Sequence, residues 1–457
     1  MKENADLLFT HAEIYTQDCR RTILQHADLA VTGNKIADVG TGLSEKYHSV
    51  KTIDATGKTI FPGMHNMHVH IFQSLLKGLG VDMKLIDWCR HATQNTGPYM
   101  SPELYELACK IAVMECLRSG VTTLCDFNYL QQTTEFAHVS IQTMEEVGIR
   151  GIYMDCYHDT GENHGVNRLI IHPAEECISR ADALIGKYNG KEEHPLTEVW
   201  PGISVNWGAT DTLIREMAEY SADRRIPWTM HILETEDDNT FSSQVYGMPL
   251  VKLLKKCDAL SERLLAVHCV QLTQEEIPVF SDCGVNVVYC PMANTYLGSG
   301  IPPIAAMNRS GVNVTIGTDG AASNNSSDMI ESLKMGLLLQ KGAEKDPTAL
   351  RAQDMLDMAT INAAKAEHRS NIGSIETGKI ADFFVFDPYF ARSVPNFNTL
   401  STLMYNSSTE NVEMTVVDGK IVFEHGVFCC GLDERSVAVE ADRKAKAFAA
   451  VQGILDD

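Results

Sequence analysis

Several classes of protein are excluded by what this 457-residue chain lacks. No CxxC pair occurs among its 13 cysteines, an odd number. A secreted disulfide scaffold is shorter and more regular. Neighbouring Cys429 and Cys430 could bridge each other only under strain. Reduced, buried thiols in a cytosolic protein are therefore expected. Positive charge is also scarce: 38 Lys and Arg face 60 Asp and Glu, a net charge of -22. Such a surface repels phosphate backbones and anionic lipid, so neither nucleic acid nor membrane is an expected partner. No run approaches the ~18 apolar residues of a membrane span. The opening Met1-Lys2-Glu3-Asn4-Ala5-Asp6 has no apolar core of signal-peptide length, and a cytoplasmic location is expected. Internal repeats and low-complexity linkers are missing as well.

What remains is an ordinary globular composition, 44% hydrophobic and 21% charged. Both ends read as short strands. Leu29 to Thr32, Gly33-Asn34 and Ile36 to Val39 form one expected hairpin. Ala381 to Phe386 is a continuous apolar strand, and Met414 to Val417, Asp418-Gly419 and Ile421 to Phe423 form a second hairpin. The two ends are expected to pack together as a small β-sandwich, residues 1–61 with 372–457, the latter closing on a C-terminal helix. Between them, 62–371 alternates strand with helix. Strand-like runs are Val121 to Leu124, Trp228 to Ile232, Leu264 to His268, Val285 to Tyr289 and Val312 to Ile316. Pro102 to Ser119 reads as a helix with Ser101 as N-cap and Gly120 as its stop. This alternation predicts an α/β fold, a closed (β/α)8 TIM barrel.

Informative polar residues stand just after the strand-like runs, where a barrel carries its active site. His68-Val69-His70 puts two imidazoles on one side of an extended strand, although two loop histidines read the same way. His231-Ile232-Leu233-Glu234 supplies a histidine and a carboxylate, one for an ion and one for protons. Glu234 alone also suits a helix start, and the run Glu234 to Asp238 reads mostly as a solvated helix N-terminus. His268 closes an apolar strand. Asp319 stands before Gly320, where it is either an anionic ligand or turn chemistry. Four such positions in order along one barrel point to a metal-dependent hydrolase. His11, His26, His48, His172, His194, His368 and His425 have no such placement and read as surface or packing residues.

These motifs carry a resemblance. Pro62-Gly63-Met64-His65-Asn66-Met67-His68-Val69-His70, His231-Ile232-Leu233-Glu234, Ala266-Val267-His268-Cys269, Gly317 to Asn325 and Gly373 to Asp382 resemble the successive signatures of the amidohydrolase superfamily. Within it, the chain is similar to the branch of triazine hydrolases, adenosylhomocysteine/methylthioadenosine deaminases and guanine/isoxanthopterin deaminases. The resemblance implies one divalent metal ion, zinc or alternatively ferrous iron, held by His68, His70, His231 and Asp319. It implies Glu234 as proton shuttle, with His268 and Asp319 orienting the attacking water. Gln73, Trp88 and Ser323 fall where relatives touch substrate. The implied reaction is hydrolytic deamination of an amino-substituted nitrogen heterocycle (a pterin, oxopurine or triazine), with a nucleoside, or loss of chloride or alkylamine, as alternatives. A small-molecule substrate and further copies of the chain are the expected partners.

The departures are specific. Tyr289 stands where many relatives have a histidine, and Gly320 where the triazine chlorohydrolase has asparagine. Trp200 to Ala209 has no lysine for a bridged two-metal site. Val81 in Lys77-Gly78-Leu79-Gly80-Val81-Asp82-Met83 stands where nucleoside deaminases place a ribose-binding acid, with Asp82 one residue away. Gln73 suits the lactam or amidine edge of a fused ring. A free heterocycle is therefore expected over a nucleoside. A ligand-less scaffold fits the intact ligand set poorly, and a metal-storage protein fits a single open site with a proton shuttle poorly.

Overall fold

The computed structural model describes residues 2–454. Eight parallel strands follow one another in chain order around a barrel: Met64–Val69, Val121–Asn128, Arg150–Tyr157, Thr197–Val205, Trp228–Ile232, Leu264–His268, Asn286–Tyr289 and Asn313–Ile316. Every neighbouring pair along that order is parallel. The predicted barrel is thus the observed one. The second and third strands are buried along their whole length, as a parallel sheet covered by helices requires. The helix Pro102–Arg118 starts as expected, with the Ser101 side chain accepting from Leu104 N.

The seam between the last and first strands closes through a few exchanges. Thr318 N donates to Asn66 Oδ1 at 3.0 Å, and Asn66 Nδ2 donates to Thr318 Oγ1 at 2.8 Å. One residue further, Asp319 N donates to His68 O at 2.9 Å. Gly317 is required here, because a Cβ at that position would lie 2.9 Å from both the N and the O of His68.

The two chain ends build one mixed nine-stranded sheet. The expected sandwich is a single hydrogen-bonded sheet whose two halves share a core, Phe9 and Leu29 from one end meeting Phe383 and Val416 from the other. The join is the antiparallel pairing of Thr59–Pro62 with Phe383–Phe386. Both expected hairpins form. Asp418 and Gly419 take φ of 51° and 76°, the positive pair that a two-residue turn favours, whereas in the first hairpin only Gly33 does so. The turns pack together so closely that a Cβ on Gly419 would lie 2.2 Å from Gly33 O.

A buried ion pair ties this sheet to the barrel. Arg150, at the start of the third barrel strand, donates from Nε to Asp382 Oδ2 at 2.9 Å, and from Nη2 to Asp418 Oδ1 at 3.3 Å. Asp382, the last residue of the Gly373–Asp382 motif, also accepts from Asp418 N at 2.6 Å. Arg150→Ala strands a buried carboxylate, and unfolding in denaturant should show a loss of about 3–5 kcal/mol. A loss below about 1 kcal/mol would mean that water replaces the guanidinium.

Candidate active site at the barrel mouth

Four side chains converge at the C-terminal ends of the strands. His68 and His70 come from the first strand and the residue after it, His231 from the fifth, and Asp319 from the turn after the eighth. Asp319 Oδ1 lies 3.4 Å from Nε2 of both His68 and His70. His231 Nε2 lies 3.3 Å from His68 Nε2. The donor atoms of His68, His70 and Asp319 all fall within 4.8 Å of one another, as do those of His68, His231 and His268.

Hydrogen bonds behind two of these rings, His70 and His231, set their tautomers. His70 Nδ1 faces the carbonyl of Phe127 at 2.7 Å, and His231 Nδ1 that of Ser204 at 2.6 Å. A carbonyl only accepts, so each Nδ1 carries the proton and each Nε2 offers a bare lone pair. Burial is the largest cause lowering all three rings, and Asp319 pulls the other way. His70 is pushed down to about 3, and His68 and His231 are lowered too. Burial opposes the charge on Asp319, yet the surrounding histidines hold its carboxyl well below the usual range. The bare Nε2 atoms of His70 and His231, with His68 beside them, crowd about a carboxylate, which is the donor set of a cation site. Three imidazole nitrogens and one carboxylate oxygen fit zinc or ferrous iron.

Glu234 and His268 stand beside this cluster. His268 Nε2 is 3.5 Å from Glu234 Oε2 and 4.0 Å from Asp319 Oδ2. Its Nδ1 lies 2.9 Å from Asn294 Oδ1, which can only accept, so Nε2 is again the bare atom. Burial pushes the Glu234 carboxyl up to about 8, with the charge on Asp319 adding to the effect. A carboxyl poised near neutrality is matched to proton transfer.

One cavity opens onto the cluster. Its wall includes His70, His231, Glu234 and Asp319, together with Gln73, Trp88, Tyr129, Trp207, Asp238 and Ser323. All three residues expected to touch substrate are on it. Two of them donate to backbone carbonyls: Trp88 Nε1 to Ala322 O at 3.2 Å, and Ser323 Oγ to Gly320 O at 2.8 Å. Gln73 accepts from Ala322 N at 3.3 Å. His68 and His268 lie beneath the wall, each at most 1% exposed. His65, in the same motif as His68, faces elsewhere and pairs with Glu367 at 2.6 Å. Val81 and Asp82 are exposed and off the wall. Tyr289 turns away from the site, its hydroxyl reaching Gly336 O at 3.4 Å.

Three contributors went unread in the sequence. Asp238 lies in the acidic run that looked solvated, yet it is 3% exposed and accepts from Glu234 N at 2.8 Å. Its place in the first turn of Glu236–Tyr246 was the available signal. Asn294 orients His268, and only its position soon after the seventh strand hinted at that. Asp126, on the second strand, accepts from Ile71 N at 3.3 Å and from Tyr105 Oη at 2.6 Å, steadying the chain just past His70.

The amidohydrolase family model matches residues 59–422. The chain belongs to the amidohydrolase family. It is 33% identical over 367 residues to a 5'-deoxyadenosine deaminase of Methanopyrus kandleri, covering 80% of this chain and 81% of that one. It is 28% identical over 456 residues to a 5-methylthioadenosine/S-adenosylhomocysteine deaminase of Caldicellulosiruptor saccharolyticus, covering 99% of each. An adenosine deaminase from Xanthomonas campestris with bound zinc superposes with a TM-score of 0.91 at 26% identity, over 98% of this chain and 100% of that one. A zinc-containing atrazine chlorohydrolase from Arthrobacter aurescens superposes at 0.89 and 23% identity, over 96% and 100%, a likeness of fold alone. This amidohydrolase therefore has the family's dependence on a divalent metal, and is a hydrolase acting on carbon–nitrogen bonds.

Gly320 is built into the cavity wall, since a Cβ there would lie 1.9 Å from Gln73 Oε1. Gly320→Ala should displace the Gln73 amide. Metal content should stay unchanged while kcat/KM falls on the order of ten-fold, about 1.4 kcal/mol. An unchanged kcat/KM would take Gln73 out of substrate binding.

Proposed function

We propose that this amidohydrolase hydrolytically deaminates an amino-substituted nitrogen heterocycle. The observation that carries the reading is the contact of Glu234 with His268 beside a bare-lone-pair donor cluster, on a cavity walled by aromatic rings. His68, His70, His231 and Asp319 would hold one divalent ion, zinc in preference to ferrous iron. When bound, that ion supplies Lewis acidity that lowers the pKa of water towards ~7. The fourth barrel strand and the turn after it, 197–209, carry no lysine, which supports a single resident metal.

The remaining work falls to this chain's own groups. His268, its Nδ1–H held by Asn294, turns Nε2 to accept from the attacking water and fixes its approach. Glu234 takes a proton from that water and passes it to a ring nitrogen as the C–O bond forms at the carbon bearing the amine. Collapse of the resulting gem-aminoalcohol breaks the C–N bond. The amine leaves as ammonia with a proton returned through Glu234, and the ring keeps a carbonyl. Trp88, Tyr129 and Trp207 keep bulk water from the reacting face and offer surfaces for ring stacking.

The substrate we favour is a free heterocycle, a pterin, oxopurine or triazine. Gln73 and Gln94 present amides on the cavity wall, while Val81 and Asp82 stay off it. A ribose diol without an acceptor would cost on the order of 1–3 kcal/mol per unpaired group. The second reading is an adenine nucleoside, favoured by the names of the curated relatives. Cytoplasmic location and homo-oligomeric assembly are part of the same proposal. Among the described residues, no helix is long and apolar enough to cross a membrane.

Elemental analysis of the purified protein should give about one divalent ion per chain, with His68→Ala and Asp319→Ala losing both metal and turnover. Two tightly held equivalents would contradict the single-metal assignment. Glu234→Gln should keep the metal but lose roughly 10²–10⁴-fold in kcat. Ordinary turnover in that variant would move the proton shuttle to another group. For the substrate, kcat/KM should be higher for at least one of isoxanthopterin, guanine, 8-oxoguanine and melamine than for adenosine, methylthioadenosine and adenosylhomocysteine. A ten-fold advantage for any nucleoside would establish the second reading instead.

A further inference from the structure

Cys290 has no part in the chemistry above, although it stands against the site. It follows the seventh strand directly and is fully buried. Its Sγ, a ring nitrogen of His268 and a carboxylate oxygen of Asp319 all lie within 4.8 Å of one another. These donors come from the ends of three consecutive strands. No hydrogen bond engages the Cys290 thiol among the described residues, whereas the Cys269 thiol donates to Ala266 O at 3.9 Å.

Asp319 has two faces. Oδ1 turns to His68 and His70, both at 3.4 Å, and Oδ2 turns to His268 at 4.0 Å. With Oδ1 committed to the first set of donors, Oδ2 remains for a second ion. His268 keeps Nε2 free of a proton because Asn294 holds the other nitrogen. A thiolate, an imidazole and a carboxylate select soft or borderline cations such as cadmium and zinc over magnesium.

We propose that a second, thiophilic divalent cation binds between Cys290, His268 and Asp319, more weakly than the resident metal, and inhibits the enzyme when such metal is in excess. Binding forms a metal–sulfur bond and releases the thiol proton to solvent, with no change of oxidation state. Inhibition rests on the mechanism proposed above, because the second ion removes His268 and one oxygen of Asp319 from the attacking water. Binding itself does not depend on that mechanism.

The test titrates protein carrying one zinc equivalent with cadmium, following bound metal by equilibrium dialysis and the ultraviolet thiolate-to-cadmium charge-transfer absorption. Cys290→Ser is the partner sample. The difference between the two removes the contribution of the exposed Cys19, Cys429 and Cys430. Wild type should bind one more cadmium than the variant and show the extra absorption. Excess cadmium or zinc should inhibit wild type at concentrations at least ten-fold lower than the variant. Equal cadmium uptake and equal absorption would overturn the proposal. Should Cys290→Ser not fold, a wild-type crystal soaked in cadmium decides by anomalous density: an ion bonded to Cys290 Sγ supports the site, and its absence overturns it. Failure of the resident-metal assignment would show separately, as wild type that takes up no first zinc equivalent.

Discussion

The closure of the barrel between its eighth and first strands is the constraint on which the site depends. Asp319 is a ligand candidate only because its own backbone N–H is bonded to His68 O. That single bond sets a carboxylate from one end of the barrel sequence against two histidines from the other. Asn66 and Thr318 repeat the connection one residue earlier, with side chains where a ladder of backbone bonds would otherwise run. Gly317 lets the strands approach, since any Cβ there would meet the His68 backbone. The motif spelling around Asp319 thus encodes a seam as much as a metal ligand.

The same region holds backbone in conformations that side chains disfavour. Leu233, His268, Cys269 and Asp319 all take positive φ, between 51° and 75°. Each such residue costs on the order of 1–3 kcal/mol. All four lie where a strand turns sharply at the barrel mouth. The left-handed turn at Leu233 directs Glu234 back over the cluster, and Asp238 holds it there by accepting from Glu234 N. The bend at His268 and Cys269 is held by Cys269 N donating to Ile232 O at 2.9 Å, so the fifth and sixth strands brace each other's functional residues. The strain aims side chains inward that a regular strand would leave along the wall.

Local pattern carried most of the fold. Apolar runs ending in a polar residue marked the fifth to eighth strands, because a buried parallel strand admits few polar residues except at its functional end. The third and fourth strands, Arg150–Tyr157 and Thr197–Val205, were harder to read. They contain Asp155, Trp200, Pro201 and Gly202, residues that make sense only with their partners, such as Tyr157 for Asp155. For the site, the residues we assign to the chemistry were readable because a hydrolytic metal centre demands few residue types. Those that orient them were not. Asn294 and Asp238 act across turns through one hydrogen bond each, and an asparagine or aspartate in a turn is ordinary. The solvated reading of the acidic run failed at Asp238 because the helix it begins packs that face over the cavity.

The electrostatics of the pocket explain why these supports are needed. Glu234, Asp238 and Asp319 lie together with little exposure, and no lysine or arginine stands among the residues of the cavity wall. Burial and mutual repulsion push Asp238 up to about 7 and Glu234 to about 8. In a neutral pocket these carboxyls would simply keep their protons. Burial disfavours the charged form of the histidines, so positive charge reaches the cluster more readily from outside the chain. A cation bound there stabilises the folded state over the unfolded one by mass action, offsetting the strain at the strand ends. The arrangement is therefore poorly compensated by the polypeptide alone, and the acidity gathered inside the barrel favours a divalent ion there.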